Sequence, residues 1–127
     1  MEAVVIVTVL ALVQYTVFGI QVGGAHQKYG VKLPSMIGDE QFERVNRVHQ
    51  NTLEQLVMFL PALWMYGHFV NPLWGAGLGV VYLIGRMLFR AAYLKDPATR
   101  AMGFMLSWLP SGVMLIWVLI DAVLSYF

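Results

Sequence analysis

The chain of 127 residues contains no cysteine, which removes disulfides, thiolate metal sites and a cysteine nucleophile together. Any thiol chemistry has to use a thiol brought from outside. Charge is scarce as well. Asp, Glu, Lys and Arg supply 12% of the residues and hydrophobic types 59%, far from the balance of an ordinary soluble domain. The composition describes one membrane domain covering residues 1–127. A net charge of +1 without a basic tract gives no electrostatic footprint for nucleic acid. His26, His49 and His68 fall in different segments and at different depths, so no metal site is expected. Repeats and low-complexity tracts are also missing.

What the chain has in quantity is long apolar runs. A bilayer core of about 30 Å takes roughly 20 helical residues, and four segments meet that need. The first is Ala3 to about Ala25; it follows Glu2 with no Lys or Arg, which argues for a retained helix over a signal peptide. The second runs from about Leu53 to Val70, the third from Leu73 to about Tyr93, and the fourth from Ala101 to about Ile120. No charged residue occurs between Glu54 and Arg86, so Asn71-Pro72 has to turn the chain. Lys95-Asp96-Pro97 makes the next connection, and the segment from Lys28 to Asp39 is the longest loop. Pro61 and Pro110 fall inside spans and suggest kinks, and the GxxxG spacing of Gly75 and Gly79 permits close helix contact.

The basic residues are unevenly placed. Lys28, Lys32, Arg44 and Arg47 lie between or near the first two spans, and Arg86, Arg90, Lys95 and Arg100 lie around the third connection. With four spans both groups occupy one face, which the positive-inside rule makes cytoplasmic. Both termini then face the periplasm or lumen.

The stretch "ERVNRVHQNTLEQLVMFLPALW", residues 43–64, passes from polar to apolar with no break before the span. Arg44, Arg47, Asn51, Glu54 and Met58 recur every three or four residues and share one helical stripe. A charge at bilayer depth costs ~2.5–3.5 kcal/mol on insertion scales, so this stripe has to face the bundle, a partner chain or a polar ligand. Tyr82, Arg86, Phe89, Arg90 and Tyr93 repeat the device on the third span, and Arg100 stands just before the fourth. The bland alternative is that basic residues snorkel to headgroups and that Glu54 simply pairs with Arg47 or Arg86, and for Lys28, Lys32, Arg44 and Lys95 that reading is preferred. It explains Arg47, Asn51 and Glu54 less well, because a snorkelling girdle needs neither an amide nor an acid at matched spacing. His49 lies off the main stripe and reads as a packing contact or a ligand contact. A peptide-like anion with an ammonium group would use the arginines, the acid and the amide. Glutathione fits that description and brings the thiol the chain lacks.

These same residues resemble a family signature. The pattern Glu-Arg-Val-x-Arg-x-His-x-Asn-x-x-Glu before an apolar span is similar to the second helix of the membrane-associated proteins in eicosanoid and glutathione metabolism (MAPEG). "QVGGAHQKYGVK" and "VYLIGRMLFRAAYLKDPATRAMG" resemble the family's first loop and its third helix with the following connection. The resemblance implies an all-α, four-helix transmembrane bundle assembled as a homotrimer in an inner membrane or endoplasmic reticulum. It also implies glutathione as substrate near the cytosolic face, and a hydrophobic electrophile or lipid hydroperoxide arriving from membrane lipid. Arg47, Asn51, Glu54, Arg86 and Tyr93 carry over as glutathione-binding residues, with His26 and His49 in secondary roles, and Arg100 as the catalytic residue that stabilises the thiolate. The implied activity is a microsomal-type glutathione transferase with detoxifying and peroxidase chemistry. The alternative is a non-catalytic lipid or fatty-acid scaffold of the same fold. Three positions depart from the leukotriene-forming branch: Gln55 follows the motif glutamate in place of tyrosine, Phe89 replaces a tyrosine, and His26 replaces an arginine. They argue against leukotriene synthesis in particular.

Overall fold

The computed structural model describes residues 1–127 and contains four long α-helices and no strand. These are α1 (Glu2–Lys28), α2 (Glu40–Phe69), α3 (Pro72–Lys95) and α4 (Ala101–Tyr126), with a short 3-10 turn at Pro97–Thr99 before α4. Helices α1, α3 and α4 are long and apolar enough to cross a membrane. Helix α2 has 30 residues, about 45 Å at 1.5 Å per residue, and combines the polar and apolar halves without interruption.

The helix ends are set by local chemistry. Asp39 caps α2 by accepting from the Phe42 amide at 2.9 Å, and Glu40 and Glu43 put negative charge in the first turn, where the helix dipole favours it. Asn71 caps α3 by accepting from the Leu73 and Trp74 amides, and Pro72 occupies the first helical position, where its missing N–H removes no bond. The breaker pair read from the sequence therefore also starts the next helix. Asp96 ends α3 and accepts from the Ala98 amide to begin the 3-10 turn. Gly30 and Gly38 take positive φ in the longest loop, +70° and +128°, which L side chains rarely adopt. Helices α2 and α4 continue through Pro61 and Pro110.

Successive helices run antiparallel. Trp64 donates to Thr8 near one end of the α1–α2 pair, while His49 lies against Gly19 further along it. Gly75 meets Gly67 at the α2–α3 turn, and Arg86 reaches Asn51 well away from it. Helices α1 and α3 run parallel, tied by Gln14 donating to the Leu83 carbonyl and Arg90 donating to Gln21. The α1–α2 loop and the α3–α4 connection thus share one end, and both basic groups gather there. The core between the helices comprises Val4, Val7, Leu56, Phe59, Leu63, Tyr82 and Met114, with the Phe59 and Tyr82 rings stacked at 3.8 Å. Large apolar side chains such as Ile6, Ile20, Leu73, Trp74, Ile116 and Leu119 point outward, a surface suited to lipid.

Helices α3 and α4 pack backbone to backbone. A Cβ at Gly85 would lie 2.7 Å from the backbone of Leu106 and Ser107, and a Cβ at Gly103 would overlap the backbone of Phe89. Gly75 and Gly79 do allow close contact, but against α2 and α1. Gly85→Ala is therefore expected to destabilise the fold by about 1–3 kcal/mol through overpacking, read as a lower unfolding midpoint in detergent. Gly77→Ala, where a Cβ meets open space, is the matched control and should leave the midpoint unchanged or higher.

Candidate functional site

At the basic end of the bundle α2, α3 and the start of α4 enclose a cavity of about 690 Å³. Arg47 and Asn51 reach it from α2, Phe89 and Tyr93 from α3, and Arg100 with Phe104 and Met105 from the chain leading into α4. Its polar lining consists of two guanidiniums, an amide and a phenol, and the rest is apolar, including exposed Ala98, Ala101 and Met105. A second, polar cavity of about 530 Å³ shares Arg47 and Tyr93 with the first and extends between Asp39, Glu43, Arg44 and Gln50.

Helical spacing explains the polar lining. Asn51 and Glu54 lie three apart and Arg47 one turn before Asn51, so α2 presents all three on one side. Arg47 Nη1 lies 3.3 Å from Glu54 Oε1, and Asn51 Nδ2 donates to the same oxygen at 3.4 Å. Behind them Arg86 is fully buried; its Nη2 donates to Asn51 Oδ1 at 2.8 Å and to Thr52 Oγ1 at 3.0 Å. The Arg86 guanidinium also sits 4.4 Å over the Phe89 ring, and Phe89 in turn stacks on Tyr93. A continuous relay therefore runs from the bundle interior to the cavity: Arg86, Asn51, Glu54, Arg47. Arg100 anchors one amino group on the Pro97 carbonyl at 3.0 Å, which steadies the side chain at the cavity rim.

Five of the residues singled out from the sequence therefore meet here: Arg47, Asn51, Tyr93 and Arg100 on the cavity wall, and Glu54 bonded to two of them. Arg86 joins through Asn51 and does not itself line the cavity. The two histidines lie elsewhere. His26 bonds the Val31 carbonyl through Nδ1 at 2.8 Å and packs on Phe42, which fastens the α1–α2 loop. His49 stacks on Tyr15 of α1 at 4.5 Å. Arg90, read from spacing as part of one stripe with Arg86, turns the other way and donates to Gln21 of α1. Arg44 is more than a snorkelling cation: it pairs with Glu40 and donates to the Leu94 and Lys95 carbonyls, clamping α2 to the end of α3. Thr52 went unnoticed because a lone threonine in an apolar run gives no signal until its partner is visible.

Residues 4–120 match the MAPEG family. An uncharacterised protein of Synechocystis sp. is 44% identical over 116 residues, spanning 91% of this chain and 85% of its own. Human microsomal glutathione S-transferase 2 is 40% identical over 101 residues, 80% of this chain and 69% of the human protein. Bovine leukotriene C4 synthase is 32% identical over 94 residues, 74% of this chain and 63% of that enzyme. A match across almost the whole chain, on the helices that build the cavity, makes this protein a member of the MAPEG family.

Proposed function

We propose that this protein is a membrane-bound glutathione transferase that joins the glutathione thiolate to hydrophobic electrophiles. The observation that carries the reading is the cavity itself: two guanidiniums and an amide in its lining together with apolar side chains, and an acid held next to the amide. A tripeptide with two carboxylates and an ammonium group matches the polar lining residues, and a lipid-borne electrophile matches the apolar ones. Its 40% identity to a human microsomal glutathione S-transferase supports the same choice.

In this reading Arg47, Asn51 and Tyr93 hold the tripeptide, Glu54 takes its ammonium group, and Arg86 acts from behind through Asn51. Arg100 lies beside the thiol and favours its deprotonation, because an adjacent guanidinium stabilises the thiolate. Sulfur then attacks the electrophilic carbon; with an aryl halide, the S–C bond forms as halide departs. With a lipid hydroperoxide, sulfur takes the distal oxygen and releases the alcohol, and a second glutathione then yields the disulfide and water.

The assembly belongs to the same proposal. Helix α2 makes the fourth span, both termini face away from the cytoplasm, and the cavity opens near the cytoplasmic face. Arg47 and Glu54 keep about half of their side-chain surface exposed within one subunit, 46% and 57%. Charges at that depth need company other than lipid, which supports a partner subunit along α2, and the family resemblance favours a homotrimer. His26 and His49, away from their own subunit's cavity, enter the reading only through contact across such a boundary.

Purified protein in detergent is expected to turn over a chlorodinitrobenzene in a glutathione-dependent, saturable manner. No turnover together with no glutathione binding would sink the reading and favour a non-catalytic lipid scaffold.

A further inference from the structure

Asn51 has a carbonyl oxygen that only accepts and an amino group that only donates, and which of them faces the cavity decides what the site can bind. Arg86 settles the choice. A guanidinium has no acceptor, so the group 2.8 Å from Arg86 Nη2 has to be the Asn51 oxygen. The amino group is then turned outward, where it donates to Glu54 Oε1. Thr52 reinforces the polarity: its hydroxyl donates to the Val48 carbonyl at 2.7 Å, which leaves its oxygen to accept from Arg86. Every hydrogen in this relay has one direction.

We propose that Arg86 is a positioning residue that fixes the Asn51 amide with its donor toward the cavity, so that the site selects a ligand acceptor, a peptide carbonyl or carboxylate. The inference rests on the glutathione reading and adds to it the group that Asn51 recognises. Arg47 and Arg100 also line the cavity, so its charged lining groups are donors, and Glu54, already engaged by Arg47, is the acidic exception next to it.

Burial gives the arrangement its meaning. Arg86 is fully buried, and its Nε and Nη1 hydrogens have no partner within the chain. A buried cation with only part of its hydrogen bonds made is a poor stabilising device, and apolar replacements of such groups are often neutral for folding. The bonds from Arg86 to Asn51 and Thr52 therefore orient those groups more than they stabilise the fold. Without Arg86 only the longer 3.4 Å contact of the amino group with Glu54 distinguishes the two ends of the amide, and the orientation of Asn51 is held less firmly.

The test is glutathione affinity, measured by titration calorimetry on the full-length protein in detergent, with the unfolding midpoint followed in parallel. Arg86→Met is expected to keep the fold and raise the glutathione Kd about tenfold, equivalent to ~1.4 kcal/mol. Arg86→Lys, a donor without an acceptor, is expected to recover most of the affinity. Asn51→Asp keeps a partner for Arg86 but turns an acceptor toward the ligand; it is expected to weaken glutathione at least as much as Arg86→Met while the protein stays folded. Wild-type affinity in folded Arg86→Met, or in Asn51→Asp if the methionine variant does not fold, overturns the inference and leaves the proposed function standing. Failure of the wild type to bind glutathione overturns both.

Discussion

Arg100→Ala is expected to lower kcat/KM for glutathione conjugation about 25-fold at pH 7 and about a hundredfold below pH 6, the scale of losing a two-unit depression of the thiol pKa. The arithmetic is independent of the electrophile. A free thiol has a pKa near ~8.5 and is mostly protonated at neutral pH, whereas the thiolate is the nucleophile. Lowering that pKa by about two units takes ~2.7 kcal/mol, within reach of one partly desolvated ion pair. Arg100 is placed for this at the cavity rim, with one amino group tethered to the Pro97 carbonyl and the rest of the guanidinium free. The sign of the pH dependence follows. The wild type holds the bound thiol ionised at neutral pH, and the variant loses ionisation at every step below the ordinary thiol pKa. Its deficit is therefore largest below about pH 6, has shrunk to about 25-fold at pH 7, and closes as pH rises above about 9. A pH profile of kcat/KM checks this, and a deficit that stays constant across the range would point to a structural defect instead.

Glu54→Ala is expected to raise the glutathione Kd at least tenfold while moving the unfolding midpoint little. Glu54 Oε1 accepts from Asn51 and pairs with Arg47, so its loss frees two cavity side chains at once and removes the acid proposed to meet the ammonium group. Its stability contribution is small because both partners of the ion pair are half exposed, and exposed pairs contribute only about 0–1 kcal/mol. Glu54→Gln should fall between, since the amide oxygen still accepts from Asn51 but carries no charge. Titration calorimetry alongside thermal unfolding separates the two effects, and equal affinity in wild type and Glu54→Ala would remove Glu54 from the site.

The helices were legible because their signals are local. Asn71-Pro72 both turns the chain and caps the next helix, and the polar-to-apolar run after Asp39 has no breaker before Pro61, so α2 emerged as one element. The stripe of Arg47, Asn51 and Glu54 was legible for the same reason, since 3.6-residue periodicity fixes which side chains share a face. What spacing does not contain is the neighbour. Arg86 and Arg90 lie four apart on α3, yet one enters α2 and the other reaches α1, because the stripe straddles the groove between those helices. Arg44 resembled a headgroup anchor until the end of α3 came within reach of its guanidinium. Gly85 and Gly103 form the tight α3–α4 contact, whereas the GxxxG spacing that stood out in the sequence lies elsewhere on α3. His26 and His49, chemically the most suggestive types in the chain, spend their rings on Phe42 and Tyr15.

The central claim is that glutathione occupies the cavity between α2, α3 and the start of α4, with its sulfur at Arg100. The structure of the full-length protein in lipid nanodiscs with saturating glutathione tests it most directly. The expected result is the tripeptide in that cavity, its acceptors on Arg47 and the Asn51 amino group, and its sulfur within about 4 Å of the Arg100 guanidinium, the range of a close charge interaction. Glutathione bound elsewhere, or in the cavity with its sulfur turned away from Arg100, would contradict the account.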